Sequence, residues 1–442
     1  MIVPQTRLLF WFAVVALPFS VLGALYPEAF PFSAALIAGL LTLTLLDAAL
    51  AHGKLDGISL ALPEIVRVSK DRATCLPVSL RNQRQKSLLL RLGLGLPREI
   101  QSSNESVHIL LPEGAELSRF DWPCQPVRRG NYRVKRAYLE TNSRFGFWAW
   151  RGSIPVQCEI RVYPNLVDER KRLAALFLNR GMFGLHAQRQ VGKGRDFEKL
   201  RDYIPGDGSD EIHWKATAKR GHPVTKVYQI ERTQEVYVVI DASRLSGRSA
   251  GRGESSVLER FLTCALLLGQ AAEQQGDLFG LITFADHVQT FLRAKNGQAH
   301  YSACRDALYA LEPQYITPDF DEISAFIRTR LRRRALLIFL TSLDDPVLAE
   351  SFVRNMTLLA GKHLVLVDML KPPGADPLFR RSGVETIDDL YQHLGGHLQW
   401  HGLRELEKVL QRRGVRFSLL ENERLASELV SQYLGVKQRQ LL

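Results

Sequence analysis

Three observations predict an α/β chain in three parts. Two apolar runs of bilayer length open it, short alternating segments follow, and the remainder alternates buried-strand patterns with amphipathic-helix patterns. The expected architecture is an N-terminal transmembrane helical hairpin (1–53) and a small β-sandwich-like domain (54–165). A linker carrying a dense polar block (166–234) then leads to a doubly wound α/β sheet (235–442).

The bulk numbers permit this. The chain has 442 residues, 46% hydrophobic and 24% charged, which is ordinary for globular protein and leaves room for more than one core. The formal net charge of +12 suits nucleic acid, an anionic membrane surface or an acidic partner, and does not choose among them. Five cysteines, Cys75, Cys124, Cys158, Cys264 and Cys304, are scattered with no Cys-x-x-Cys pair. That excludes a disulfide framework and a zinc ribbon as the basis of the fold, and fits a reducing compartment.

Leu8 to Leu25 is apolar apart from Pro18 and Ser20, and Phe30 to Ala51 is apolar apart from Asp47 near its end. Each is close to the roughly 20 residues a helix needs to cross a bilayer core. The turn Tyr26-Pro27-Glu28-Ala29 has no Lys or Arg, whereas Arg7 precedes the first run and Lys54, Arg67 and Lys70 follow the second. The positive-inside rule then places the turn outside and the C-terminal body in the cytoplasm, in a two-pass inner or cell membrane protein. A cleaved signal peptide is the competing reading of the first run; the second run argues against it.

From Ile58 to Pro164 the pattern is one of short strands: 60–62, 74–80, 88–92, 107–111, 132–139 and 160–163, separated by Pro, Gly and Asn. Arg128-Arg129-Gly130-Asn131-Tyr132 reads as a turn opening a strand. Arg144-Phe145-Gly146-Phe147-Trp148-Ala149-Trp150 reads as a core or domain-contact patch.

Residues 168–178 look helical. Gly192-Lys193-Gly194-Arg195-Asp196-Phe197 mimics a phosphate loop, but no buried strand precedes it and no Gly-Lys-Ser/Thr follows, so a mobile connection is the expectation. Next come Phe197 to Asp207, then Ile212-His213-Trp214-Lys215, then the strand Val236 to Ile240 ending on Asp241-Ala242-Ser243. In an open parallel sheet, ligands bind beyond the carboxyl ends of the strands. Strands are expected at 278–284, 335–340, 363–367 and 415–419, and helices at 254–275, 299–311, 321–331, 347–360, 403–412 and 425–433.

The order of apolar hairpin, Arg-Arg-Gly-x-Tyr, Leu200-Arg201-Asp202-Tyr203-x-Pro205-Gly206-Asp207, Ile212-x-Trp214-Lys215 and Asp-x-Ser resembles the domain of unknown function 58 family. That resemblance covers nearly the whole chain. It implies a C-terminal von Willebrand factor A-like domain and a MoxR-type AAA+ ATPase as partner. It also implies a Mg²⁺ site built from an Asp-x-Ser-x-Ser loop, a distant Thr and a distant Asp, here Asp241, Ser243, Thr317 and Asp344. The match is partial: Leu245 stands at the third position, Ser246 is one residue late, and Ser342 stands where the second Asp belongs. A degenerate site is therefore preferred, with Asp241 capping its own loop.

His393, His397 and His401 have helical spacing, but Gly395-Gly396 is expected to interrupt the helix, so packed or exposed histidines are preferred over a metal site. Arg328 to Arg334 complement a helix carboxyl end. The block at Arg201, Asp202, Asp207 and Asp210 reads equally as domain-fixing ion pairs and as a partner surface, and Trp214 as buried packing. The partner-binding candidates are Arg201, Asp207, Trp214 and Asp241.

The function these readings support is a membrane-anchored, non-enzymatic adaptor, with no small-molecule substrate and no nucleic acid. A hydrolase with an unrecognised site is the alternative, although nucleophile elbow, zinc signature and nucleotide loop are all absent from the sequence. A nucleic-acid or anionic-surface binder is the third; dispersed arginines argue against it.

Overall fold

The computed structural model describes residues 1–167, 169–171, 173–174, 191–205, 208–209, 212–229, 234–250, 255–378 and 386–439. It divides into two compact units, 1–165 and 166–442.

The first unit opens with strand β1 (Ile2–Pro4) and two helices, α1 (Thr6–Leu25) and α2 (Phe30–Ala51), both long and apolar enough to cross a bilayer. Apart from Arg7, the large side chains these helices expose are apolar, a composition compatible with crossing a bilayer. Pro18 lies two residues after a π-helical segment, Phe12–Ala16, whose wider turn accommodates a residue without an amide hydrogen. Near the end of α2, the buried Asp47 carboxylate accepts from Ser143 Oγ at 2.5 Å and from the Phe145 and Phe147 amides at 3.1 and 3.2 Å. Trp148 Nε1 donates to the Thr44 carbonyl at 2.9 Å. The aromatic run is thus where the helices join the strands, with Phe147 buried and Phe145 exposed.

Nine strands follow: β2 (Ile58–Ala61), β3 (Ile65–Ser69), β4 (Thr74–Asn82), β5 (Leu88–Leu94), β6 (Ile100–Gln101), β7 (Val107–Leu111), β8 (Leu117–Pro126), β9 (Gly130–Asn142) and β10 (Trp148–Tyr163). They form two sheets, β1-β10-β9-β5-β7 with β3 also on β10, and β2-β4-β8-β6. Alternation supplies the core: Leu76, Val78 and Leu80 of β4 and Trp122 of β8 meet Leu90, Leu92, Leu139, Ile160 and Val162 of the other sheet. The Arg-Arg-Gly-x-Tyr motif has a local cause. Gly130 has φ 146°, and the Tyr132 hydroxyl donates to the Arg129 carbonyl at 3.1 Å, closing the turn that opens β9.

In the second unit, residues 191–202 differ from expectation. They are strand β11 (Val191–Asp202), paired antiparallel with β12 (Val224–Gln229), with helix α3 (Trp214–Arg220) between. A Gly- and Lys-rich run resembles a connection because backbone pairing leaves little trace in such side chains.

The large sheet holds β13 (Glu235–Asp241), β14 (Leu278–Phe284), β15 (Val288–Lys295), β16 (Leu336–Leu340), β17 (Leu364–Leu370) and β18 (Arg416–Leu420). Its order is β15-β14-β13-β16-β17-β18, parallel throughout except for antiparallel β15 at one edge. Counted along the chain this is 3-2-1-4-5-6, the doubly wound order that reverses beside its first strand. It is the von Willebrand factor A-like arrangement the sequence led us to expect. The edge strand β15 was not anticipated, because its side chains are only half-buried and carry no strong period.

Helices cover both faces. Val236, Val238 and Ile240 of β13 pack with α4 (Val257–Gln274), α5 (Gln298–Leu308) and α9 (Leu425–Gln438). Tyr237 and Val239 point the other way, toward α6 (Phe320–Arg330), α7 (Pro346–Ala360) and α8 (Ile387–Arg412). A strand buried on both faces reads as a continuous apolar run, which is why β13 and β16 were legible.

Helix α8 is continuous through Gly395-Gly396, contrary to expectation. A Cβ on Gly396 would collide with the Gly374 carbonyl oxygen, whereas Gly395 has open space. The glycine is there for close approach of another backbone, not to end the helix.

Candidate interaction site at the carboxyl end of the sheet

β13 delivers Asp241 to the end of the sheet, fully buried. Its Oδ1 accepts the Ser243 amide at 2.8 Å and its Oδ2 accepts the Thr341 hydroxyl at 2.7 Å. Burial pushes the carboxyl above the usual range, while the bonds from Ser243 and Thr341 pull it back. Thr341 directly follows β16 and was missed by sequence reasoning; a hydroxyl immediately after a central apolar strand was the available signal.

The loop after Asp241 is tightly wound. The Ser246 hydroxyl donates to the Ser243 carbonyl at 2.8 Å, and the Leu245 amide to Ser243 Oγ at 3.4 Å. Leu245 and Ser246 are buried. Two backbone bonds lock this loop to its neighbour: the Gln314 amide to the Ala242 carbonyl at 2.7 Å, and the Arg244 amide to the Ile316 carbonyl at 3.0 Å. Arg244 Nε reaches Thr317 Oγ1 at 3.4 Å, and Arg248 pairs with Asp344. Asp345 caps α7 through the Val347 amide at 2.9 Å.

The four side chains implied as metal ligands do lie at one end of the sheet, but most of their oxygens are committed elsewhere; the exception is Asp344 Oδ1, buried without a partner while Oδ2 pairs with Arg248. Both oxygens of Asp241 accept from protein donors, the Ser243 hydroxyl faces an amide, Thr317 faces a guanidinium, and Asp344 is neutralised by another. Leu245 contributes no oxygen. This donor set does not fit octahedral Mg²⁺, which demands several free hard oxygens around one point. Among the described residues no group of three or more His, Cys, Asp or Glu is placed to hold a metal ion.

What the loops present outward is different. Tyr315 is 93% exposed and Ile316 and Thr317 are exposed beside it, with Arg244 exposed on the adjoining loop. Asp241, a candidate contact residue, is buried and acts by shaping the loop that carries Arg244.

The polar block forms a second feature. The Tyr203 amide donates to the Pro223 carbonyl at 3.0 Å and the His213 amide to the Val224 carbonyl at 2.8 Å, bringing both halves of the block to one end of the β11–β12 hairpin. Trp214 is 68% exposed there, the reverse of the buried packing expected, because α3 starts at this residue and His213 Nδ1 caps it by accepting from the Ala216 amide. Tyr203 and Ile204 are exposed too. Arg201 is half-buried and donates to the Asp202 carbonyl at 3.3 Å; Asp202 pairs with His222 at 3.0 Å. Asp207 and Asp210 lie outside the described residues.

Of the histidine row, His397 accepts from the Leu378 amide at 3.3 Å and stacks on Trp400. His401 is exposed. In the arginine run, Arg328 and Arg330 occupy the last turn of α6, and Arg333 lies 4.0 Å from Glu235.

Residues 199–378 match the family described as "Protein of unknown function DUF58". Among solved structures, the chain is similar to the conserved hypothetical protein BatB from Bacteroides thetaiotaomicron, at 17% identity over 47% of this chain and 99% of that one, with a TM-score of 0.32. It is similar to an aerotolerance-related membrane protein from Bacteroides fragilis NCTC 9343, at 12% identity over 46% and 98%, with a TM-score of 0.30. It is similar to the SpRpn10 VWA domain, at 9% identity over 45% and 95%, with a TM-score of 0.28. No curated protein matches the chain.

Proposed function

We propose that this chain, with its DUF58 segment at 199–378, is a membrane-anchored, non-enzymatic adaptor that offers the carboxyl end of its α/β sheet to a protein partner. The observation that carries the proposal is the Tyr315-Ile316 pair, exposed yet held rigid by the backbone bonds between the 242–244 and 314–316 loops. An exposed tyrosine on a pre-ordered loop, flanked by an arginine, matches the composition of binding hot spots. The hydroxyls of Ser243, Ser246 and Thr341 are engaged in the loop's own bonds, which supports binding over catalysis.

The partner proposed is a MoxR-type AAA+ ATPase, on the strength of the family resemblance. The anchor proposed is the helical hairpin, with the body on the cytoplasmic side, supported by Arg7 before it and Lys54, Arg67 and Lys70 after it. The test is a photo-crosslinking side chain at position 315 of the full chain in native membranes. An adduct with the ATPase that disappears in Ile316→Asp is expected. An adduct-free native chain, or turnover of a small compound by purified material, sinks the adaptor reading.

A further inference from the structure

The N-terminal hairpin carries a groove of about 870 Å³ between its helices, within the roughly 300–1,000 Å³ of small-molecule sites. Trp11 of α1 and Phe32, Gly39 and Leu43 of α2 line it, and Phe147 and Arg7 stand at one end. Gly39 leaves a hollow in the wall: no atom lies within 4 Å of where its Cβ would be.

The end of the groove is cationic. Arg7 lies against Gly146, its Nη1 3.3 Å from the position a Cβ there would take. It is exposed, and no carboxylate among the described residues pairs with it. Lys54 Nζ donates to the Asn142 carbonyl at 3.0 Å, and Arg144 is exposed on the same loop. Three cations therefore converge on residues 142–146, beside the buried Asp47 carboxylate that bonds Ser143, Phe145 and Phe147, and Arg7 among them lines the mouth of the apolar trough.

The geometry points to a site for one anionic phospholipid, an acyl chain lying between α1 and α2 and its phosphate on Arg7. An apolar trough selects a chain but not a headgroup; the cations select a net negative headgroup over a zwitterionic one. The inference rests on the reading of the hairpin as a membrane anchor.

The test uses the full chain reconstituted in phosphatidylcholine nanodiscs with a minor phosphatidylglycerol fraction, and native mass spectrometry of the lipid retained. Enrichment of phosphatidylglycerol by about fivefold over the bulk ratio is expected, as one interfacial cation supplies. Arg7→Gln lowers the ratio toward that of the bulk, Arg7→Lys keeps it high, and Gly39→Leu lowers the total lipid retained. Retention at the bulk ratio by the native chain, or unchanged enrichment in Arg7→Gln, overturns the site. Carbonate extraction separates the two levels: a released chain sinks the anchor reading, while a membrane-bound chain without lipid preference sinks only this site.

Discussion

The Asp241 carboxylate and the Thr341 hydroxyl meet at 2.7 Å at the carboxyl end of the two central strands, joining the last residue of β13 to the residue that follows β16. Removing the hydroxyl leaves a buried carboxylate oxygen short of a donor, at a cost of about 2 kcal/mol. Thr341→Val is expected to lower the unfolding free energy by that amount, read as a lower urea midpoint with an unchanged m-value. Because both Asp241 oxygens already accept from protein donors and Leu245 offers none, Mg²⁺ is expected to leave the native melting temperature unmoved. A one-to-one magnesium isotherm in calorimetry contradicts the assignment.

Asp368 is buried in β17 with one oxygen bonded to Gln432 Nε2 at 3.0 Å and the other without a partner. Burial, against the pull of Gln432, Arg416 and Ser418, pushes its carboxyl up to about 7. The folded value lies above the ordinary 3.8, so the group is neutral in both states below about pH 4 and penalises the fold once ionised. Stability is therefore lost as pH rises from about 4 through 7, by at most about 4 kcal/mol. Asp368→Asn is expected to flatten this slope in melts from pH 4 to 8. An identical slope in the variant assigns the pH dependence elsewhere.

Asp47 accepts two backbone amides and a hydroxyl from the loop before β10. Asp47→Ala orphans buried donors at about 1–3 kcal/mol each. Limited proteolysis of membranes is expected to cut the variant within 143–147 while sparing the native chain; equal resistance refutes the clamp.

Trp214 is exposed, so Trp214→Ala is expected to change stability by less than about 0.5 kcal/mol. The same variant is expected to weaken crosslinking to the partner. A large drop in melting temperature means that Trp214 is a packing residue after all.

Gly395→Ala enters open space in a helix interior and is expected to be neutral or to stabilise by up to about 1 kcal/mol. Gly396→Ala meets the Gly374 carbonyl and is expected to destabilise markedly. Thermal melts showing the two alike rule out the close approach.

Much of the fold was legible. β14 was read at its observed bounds, and α7 and β16 to within a residue, because strands buried on both faces and amphipathic helices write their burial into their composition. Weakly patterned elements escaped, β11 and β15 among them, since main-chain pairing needs no particular side chain. At the site, Asp241 and Ser243 were placed at the strand end from the apolar run before them.

Composition and period alone determined the apolar hairpin, the sandwich, the doubly wound sheet and the loops at its carboxyl end, because burial along a strand or helix is a local, periodic property. Only the tertiary structure decided that Asp241 faces Thr341, that Trp214 points outward, and that Tyr315 and Ile316 crown a locked loop. Those outcomes depend on which distant residue arrives opposite each side chain, and sequence spacing carries no record of that.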